Sequence, residues 1–119
     1  MSDVKQKCAA LTLKGKTYEL SLTLNLIEAF QERYGDMTAV FEKSQNMGEL
    51  KWILCAALNE AAEIHNDDHP EDIWPKLTEA QVGRMINRGN MAEMNAALLE
   101  MFQLSVPQSE SDEEDDEKN

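Results

Sequence analysis

The chain has 119 residues, of which 42% are apolar and only seven are aromatic, so it can bury one core that is mainly aliphatic and rich in methionine. Its net charge of −12 repels phosphate backbones, which argues against ordinary nucleic-acid binding. No apolar run approaches the roughly 20 residues that span a bilayer, and Met1 to Asp3 do not open a signal peptide. We therefore expect no membrane association and no secretion by that route.

The N-terminal region alternates between apolar and polar residues, which predicts a β-hairpin formed by residues 8–14 and 17–23. Gly15-Lys16 suits a two-residue turn in which Gly15 supplies the positive φ at the first central position. The alternation places one set of apolar residues on a single face: Ala9, Leu11, Leu13, Tyr18, Leu20 and Leu22. Cys8 in the first strand and Cys55 further along have no CxxC spacing, so we interpret both as buried free thiols in a reducing compartment.

After the hairpin, the apolar period changes from 2 to 3.6, which predicts helices. The first helix spans residues 26–34, with Asn25 and Glu28 as its N-terminal capping pair and Gly35 at its end. Asp36 is expected to cap a short helix that carries Val40 and Phe41. Residues 44–46 then form a loop.

A long central helix is predicted for residues 48–64. Its apolar face comprises Leu50, Ile53, Leu54, Ala57, Leu58, Ala61 and Ile64. Residues 65–76 contain two prolines and many charges, so we predict a loop from which Ile73 and Trp74 fold back onto the core.

Two further helices complete the predicted domain. Thr78 and Gln81 form a capping box for a helix that ends at Gly89, with Leu77 and Val82 as a hydrophobic staple. Asn90 and Glu93 are expected to cap the last helix, which ends near Leu104. The predicted fold is therefore α+β and mainly α, with an N-terminal β-hairpin followed by four or five helices in a domain of residues 1–106.

The last residues, 107–119, are expected to form a disordered acidic tail. Residues 108–119 contain no apolar side chain, so they have nothing to bury. Residues 109–119 carry seven acids and one lysine, a net charge of −6, whereas residues 1–18 carry a net charge of +3. The tail either keeps the protein soluble or makes a weak, salt-sensitive contact with a basic surface of a partner.

A methionine-rich stripe on the last two helices is the candidate partner-binding site. Its members at helical spacing are Met85, Met91, Met94, Leu98 and Met101. Methionine at such positions commonly fills gaps in a core, but adaptable binding surfaces also expose it. Both interpretations remain open at this point.

Motifs for chemistry are weak throughout the chain. Gly15-Lys16-Thr17 resembles the end of a phosphate-binding loop, but Ala10 stands where that motif needs glycine. His65 and His69 lie four residues apart, yet Pro70 and the surrounding polar run favour a solvated acidic loop over a metal site. No catalytic arrangement is recognisable, so we expect a protein that is not an enzyme and that has no cofactor.

The order of hairpin, helix, short helix, long helix, loop and two helices resembles the tail assembly chaperones of long-tailed bacteriophages, prophages and gene transfer agents. Residues 11–22, LTLKGKTYELSL, run directly into the helical sequence LNLIEAF at 24–30 and then into YGD at 34–36. A long alanine-rich helix follows, and LTEAQVG at 77–83 matches a capped helix common in that family. The resemblance covers residues 9–104.

The resemblance implies a protein-binding role without catalysis. Such chaperones bind the long helical tape measure protein, keep it soluble and help to recruit tail tube subunits. They often self-associate, which implies a homo-oligomer, and they act in the host cytoplasm before leaving the finished tail, so they are not part of the mature virion. They are also often made in short and frameshifted long forms.

An alternative function is that of an acidic DNA mimic or inhibitory protein that occupies the basic groove of a nucleic-acid-binding partner. The net charge of −12 permits this function. Half of that charge, however, lies in the predicted tail, whereas mimics spread carboxylates over a folded surface. A small regulatory or scaffolding subunit without a phage connection would share the same bulk features.

Overall fold

A computed structural model describes residues 9–105, with side chains to Gln103. The described part of the chain contains a two-stranded β-hairpin followed by five helices, which confirms the predicted α+β, mainly helical class. Its elements are β1 (Ala9–Leu13), β2 (Lys16–Leu20), α1 (Leu24–Tyr34), α2 (Thr38–Lys43), α3 (Met47–Asp68), α4 (Glu79–Met85) and α5 (Met91–Ser105). The predictions for Cys8 and for the tail at 107–119 lie outside the described residues.

The hairpin is antiparallel and buries the predicted face, since Leu11, Leu13, Tyr18 and Leu20 are all buried. Its turn differs from the prediction. Leu13 pairs with Lys16, so the two turn residues are Lys14 and Gly15, with φ values of 51° and 82°. Positive φ at both central positions defines a type I′ turn, whose twist matches that of the flanking strands.

The helix α1 begins two residues earlier than predicted because Thr23, not Asn25, is its N-cap. The Oγ1 atom of Thr23 accepts a hydrogen bond from the Leu26 amide at 3.1 Å and donates one to Glu60 Oε2 at 2.6 Å. The start of α1 is therefore tied to α3. Gly35, with φ 95°, ends the helix as predicted, and its amide donates to the Gln31 carbonyl.

The central helix α3 is longer than predicted, because residues 65–68 are helical and do not form the predicted loop. Asn46 caps its N-terminus by accepting a hydrogen bond from the Glu49 amide at 3.1 Å. The helix ends immediately before His69, and Pro70 disfavours helical backbone at the residue that precedes it. The polar run therefore extends a solvent-facing helical turn instead of ending the helix.

Two asparagines hold the segment after α3 against that helix. Asn66 donates to the Trp74 carbonyl at 3.0 Å and accepts from the Trp74 amide at 2.8 Å. Asn59 makes the same pair of bonds with Leu77, at 2.9 and 2.8 Å. Trp74 packs on the core as predicted, but Ile73 is 61% exposed, so the prediction that it also folds back was wrong.

The helix α4 has the predicted capping box between Thr78 and Gln81, but it ends at Met85 and not at Gly89. A turn follows, closed by the Asn90 side chain, which accepts from the Asn87 amide at 2.8 Å and donates to the Met85 carbonyl at 2.9 Å. Asn90 therefore links the end of α4 to the start of α5 instead of forming the predicted cap with Glu93.

The core lies between the hairpin and the helices. The strand β1 packs mainly on α5 and β2 mainly on α3, while α1 and α4 each pack on α3. This arrangement makes α3 the central element of the described part of the chain. It also leaves α2, α3 and α5 bordering one another around a cleft.

Candidate partner-binding site

The predicted methionine stripe lies mostly inside the core. Met94 and Met101 are each 1% exposed and Leu98 is 6% exposed, because the face of α5 that carries them packs inward. Met85 and Met91 are partly buried against the same core. The structure therefore places all five residues in the core or against it and does not present them as one open surface, so gap-filling is the interpretation that their burial favours.

An apolar cleft of about 220 Å³ lies between α2, α3 and α5. Phe41 and Leu99, at its rim, are 47% and 50% exposed, and the deeper wall includes Val40 and Ile53. The ring of Phe41 also contacts that of Phe102, with 4.9 Å between their centroids. Large apolar side chains that are about half exposed around a concavity are typical of a protein-binding surface.

A second apolar cleft of about 180 Å³ lies between α3, α4 and α5. Met47, at its rim, is 63% exposed, and Met91 lines it beside the buried Met94. Leu50 lines both clefts, so they lie on either side of the N-terminal half of α3. We call the two clefts and their rim residues Phe41, Met47, Met91 and Leu99 the paired-cleft surface.

The local sequence explains why this surface forms. The helix α3 carries apolar residues on more than one side, because it must pack against β2, α1 and α4 together. At its N-terminus, Met47 remains exposed while Leu50, one turn later, is covered. The neighbouring elements cover only part of the apolar surface of α3, and a groove is left on each side of the helix.

Sequence reasoning missed Phe41, Met47 and Leu99 as site residues. Apolar spacing gave no signal for Leu99, because consecutive residues such as Met101 and Phe102 are both buried on the same helix. Met47 precedes Gly48 at the start of the helix, where no periodicity argument applies. The short helix that carries Phe41 was predicted, but the exposure of the Phe41 side chain depends on how α2 packs against α5.

A polar cluster beside the paired-cleft surface fixes α1 to α3. Glu49 Oε1 accepts hydrogen bonds from Arg33 Nε at 3.0 Å and from the Tyr34 hydroxyl at 2.7 Å, and Arg33 stacks over the Trp52 ring at 4.3 Å. The bond from Arg33 lowers the pKa of Glu49. Burial and the bond to Glu49 raise the pKa of Tyr34 to about 12. These contacts hold the first turn of α3 in place.

The two histidines serve in packing. The ring of His65 lies between those of Trp74 and His69, at centroid distances of 3.8 and 4.5 Å, and its Nε2 contacts the Asp72 carbonyl at 2.9 Å. Within residues 9–105 no group of three or more histidine, cysteine or acidic side chains is placed to hold a metal ion. The stack instead fixes the segment after α3 to the helix end.

The helices of residues 9–105 include none with both the length and the apolar character needed to cross a bilayer. Comparison with known proteins adds no relative: no protein-family model, no curated protein and no solved structure matches the chain. The case for function therefore depends on the paired-cleft surface and on the order of elements.

Proposed function

We propose that this protein is a tail assembly chaperone that binds an amphipathic helical segment of a tape measure protein on the paired-cleft surface. The observation that supports this proposal is the exposure of Phe41, Met47 and Leu99 around two apolar clefts that adjoin at Leu50. The order of hairpin and helices, which resembles that family, supports the same role. In this proposal the protein has no catalytic activity.

A helical partner suits the shape of this surface. An amphipathic helix presents apolar side chains at positions i, i+3, i+4 and i+7, which spread over about 10 Å along its axis. In this proposal, side chains of that stripe enter the clefts on either side of α3. A tape measure segment exposes a long stripe of this kind before the tail tube encloses it, so covering the stripe would keep the segment soluble.

Further parts of the proposal follow from the same role. The chaperone would help to recruit tail tube subunits, act in the host cytoplasm and be absent from the mature virion. The identity of the neighbouring genes is a direct check. A gene for a long helical protein immediately downstream supports the proposal, whereas an unrelated gene neighbourhood argues strongly against it.

A co-expression experiment tests the proposal on the protein itself. Met47→Gln with Leu99→Gln removes one exposed apolar side chain from each cleft, and we expect less soluble tape measure protein to be recovered on co-expression. The matched control is Leu24→Gln with Ile73→Gln. Leu24 and Ile73 are 81% and 61% exposed outside both clefts, and Leu24 is the first residue of α1 as Met47 is of α3.

The two double variants should have equal thermal stability, since all four side chains are exposed. If the control lowers the soluble yield of the tape measure protein as much as the cleft variant does, the paired-cleft surface is not the binding site. If neither variant nor the native protein affects that yield, the chaperone role itself is wrong.

A second candidate function, an acidic DNA mimic, is favoured by one feature of the fold. The stretch from Glu60 to Asp72, around the C-terminal end of α3, contains six carboxylates with these two residues included. No lysine or arginine occurs after Lys51 until Lys76. A mimic of this kind would lose affinity for its basic partner steeply as salt is raised, whereas binding through apolar clefts would change little. The affinity of this protein for its partner, measured at 0.05 and 0.5 M salt, therefore separates the two functions.

A further inference from the structure

A third cleft, of about 290 Å³, differs from the other two in its charge. It lies between the hairpin turn, the segment before α4 and α4 itself. Lys14, Lys16 and Arg84 line it, and its remaining wall includes the apolar side chains of Leu77 and Met85. No carboxylate lines this basic cleft among the residues that the structure describes.

The three cations have no acidic partner in the described part of the chain. The ion pairs found there are Arg33 with Glu49 and His65 with Asp72, and neither involves the basic cleft. Lys16 lies above the Trp74 ring at 5.9 Å, which orders its ammonium group without neutralising it. Residues 9–105 have a net charge of −7, so this concentration of positive charge is unusual for the molecule. Such a site attracts an anionic ligand.

The chain itself supplies an anionic segment that can reach the cleft. Asn90, just before α5, bonds to the carbonyl of Met85, which lines the cleft, so α5 begins next to it. The 15 residues of α5 span about 22 Å. Residues 115–117 follow Ser105 by 10 to 12 residues, which corresponds to about 33 to 40 Å of extended chain. The acidic residues can therefore extend back along α5 to the basic cleft.

We propose that the basic cleft binds the acidic C-terminal segment, residues 112–117, of the same molecule. The segment contains six carboxylates and no cation, which complements the three cations of the cleft. Attachment to the same chain gives the segment an effective concentration in the millimolar range, so weak contacts suffice for occupancy. The interaction covers the positive site and withholds it from other acidic surfaces, including the carboxylates around the C-terminal end of α3 in a second copy. It is independent of the proposed chaperone function.

Amide NMR spectra of the full-length chain test this proposal. The native protein is compared with a variant in which the six acids of residues 112–117 are replaced by their amides: Asp112→Asn, Glu113→Gln, Glu114→Gln, Asp115→Asn, Asp116→Asn and Glu117→Gln. We expect amide shift differences to concentrate at the cleft, at Lys14, Gly15, Gln81 and Arg84. They should be the same at low and high protein concentration and vanish at 1 M salt, where the Debye length is about 3 Å.

A pair of charge variants supplies the matched control. With Lys14→Gln and Arg84→Gln, which remove two exposed cations from the cleft, neutralising the tail should no longer shift the cleft amides. With Lys43→Gln and Lys51→Gln, which remove two exposed cations elsewhere, the shifts should remain. Shift differences that are absent, or that survive in the cleft variant, overturn the proposal. Differences that grow with protein concentration also overturn it, because the tail of a second copy then occupies the cleft.

Discussion

Asn59 and Asn66 lie seven residues apart on one face of α3 and hold irregular backbone against the helix. Each amide side chain satisfies both the N–H and the C=O of one residue, Leu77 for Asn59 and Trp74 for Asn66. A partly buried backbone pair that loses such a partner has no helix or sheet bond to replace it. These two side chains therefore stabilise the path of the chain between α3 and α4.

Asn59→Ala should lower the free energy of unfolding by about 2 kcal/mol, because two hydrogen bonds are lost. The Leu77 amide is then left without a partner, and the Leu77 carbonyl keeps only the weak contact from the Cys55 thiol at 3.5 Å. Urea denaturation followed by circular dichroism measures this change. Asn25→Ala is the control, since Asn25 is exposed on α1. Equal stability of the two variants would show that water replaces the Asn59 contacts at no cost.

The Tyr34 and Glu49 pair predicts how stability depends on pH. The pKa of Tyr34 is raised to about 12, so the folded state retains the phenol proton to a higher pH than the unfolded chain. This contribution is fully present below pH 10 or so and is lost as pH rises towards 12. The pKa of Glu49 is lowered, so its contribution is present above the unfolded value of about 4.3 and is lost as pH falls through the folded value.

Melting temperatures measured from pH 3 to 11.5 should therefore decline at both ends. Tyr34→Phe should make the alkaline decline shallower, and Glu49→Gln should make the acid decline shallower. Burial also raises the pKa of Tyr18, so some alkaline decline should persist in the Tyr34 variant. Unchanged slopes in both variants would contradict the assigned roles of these side chains.

Among the elements, α5 contributes one face to the core and another face to the paired-cleft surface. Met94→Lys places a charge at a position that is 1% exposed, so we expect it to unfold the domain or to lower its stability by several kcal/mol. Leu99→Lys, at a position that is 50% exposed on the same helix, should leave the circular dichroism spectrum and melting temperature nearly unchanged. If the Met94→Lys protein folds with native stability, then Met94 does not face the core and the inward face of α5 has been assigned wrongly.

The elements that the sequence predicts well are those with a strong local pattern. Alternation predicted the buried face of the hairpin, and helical spacing predicted α1 and the body of α3. The identity of the turn residues, Lys14 and Gly15, depends on the register in which the two strands pair. A shift of the turn by one residue changes that register. The extension of α3 to Asp68 carries no apolar period, so pattern reasoning had no signal for it.

The candidate site could be predicted only in part, because the methionine stripe indicates the helix but not which of its faces is covered. Helical spacing places Met94, Leu98 and Met101 together, yet burial depends on where the hairpin docks. The exposed rim residues Phe41 and Leu99 come from elements far apart in sequence. Their proximity is a property of tertiary packing, which no local pattern contains.

At the scale of the whole molecule, we expect self-association. A two-stranded hairpin leaves the outer edges of β1 and β2 without strand partners within the described residues, and unpaired edges are sites for pairing with another chain. Sedimentation at micromolar concentrations should show a species larger than the 13.5 kDa monomer. A single monomeric species over the whole concentration range would remove homo-oligomer formation from the proposal.

If the paired-cleft surface binds a helical partner, site-specific photo-crosslinking from its rims should capture that partner. A photoreactive phenylalanine analogue is placed at Leu99 or Met47, on the cleft rims, or at Leu24, which is more exposed but outside both clefts. On co-expression with a tape measure protein, we predict crosslinks from positions 99 and 47 and none from position 24. A complex that crosslinks from position 24 but from neither cleft position would show that the partner binds outside the paired-cleft surface.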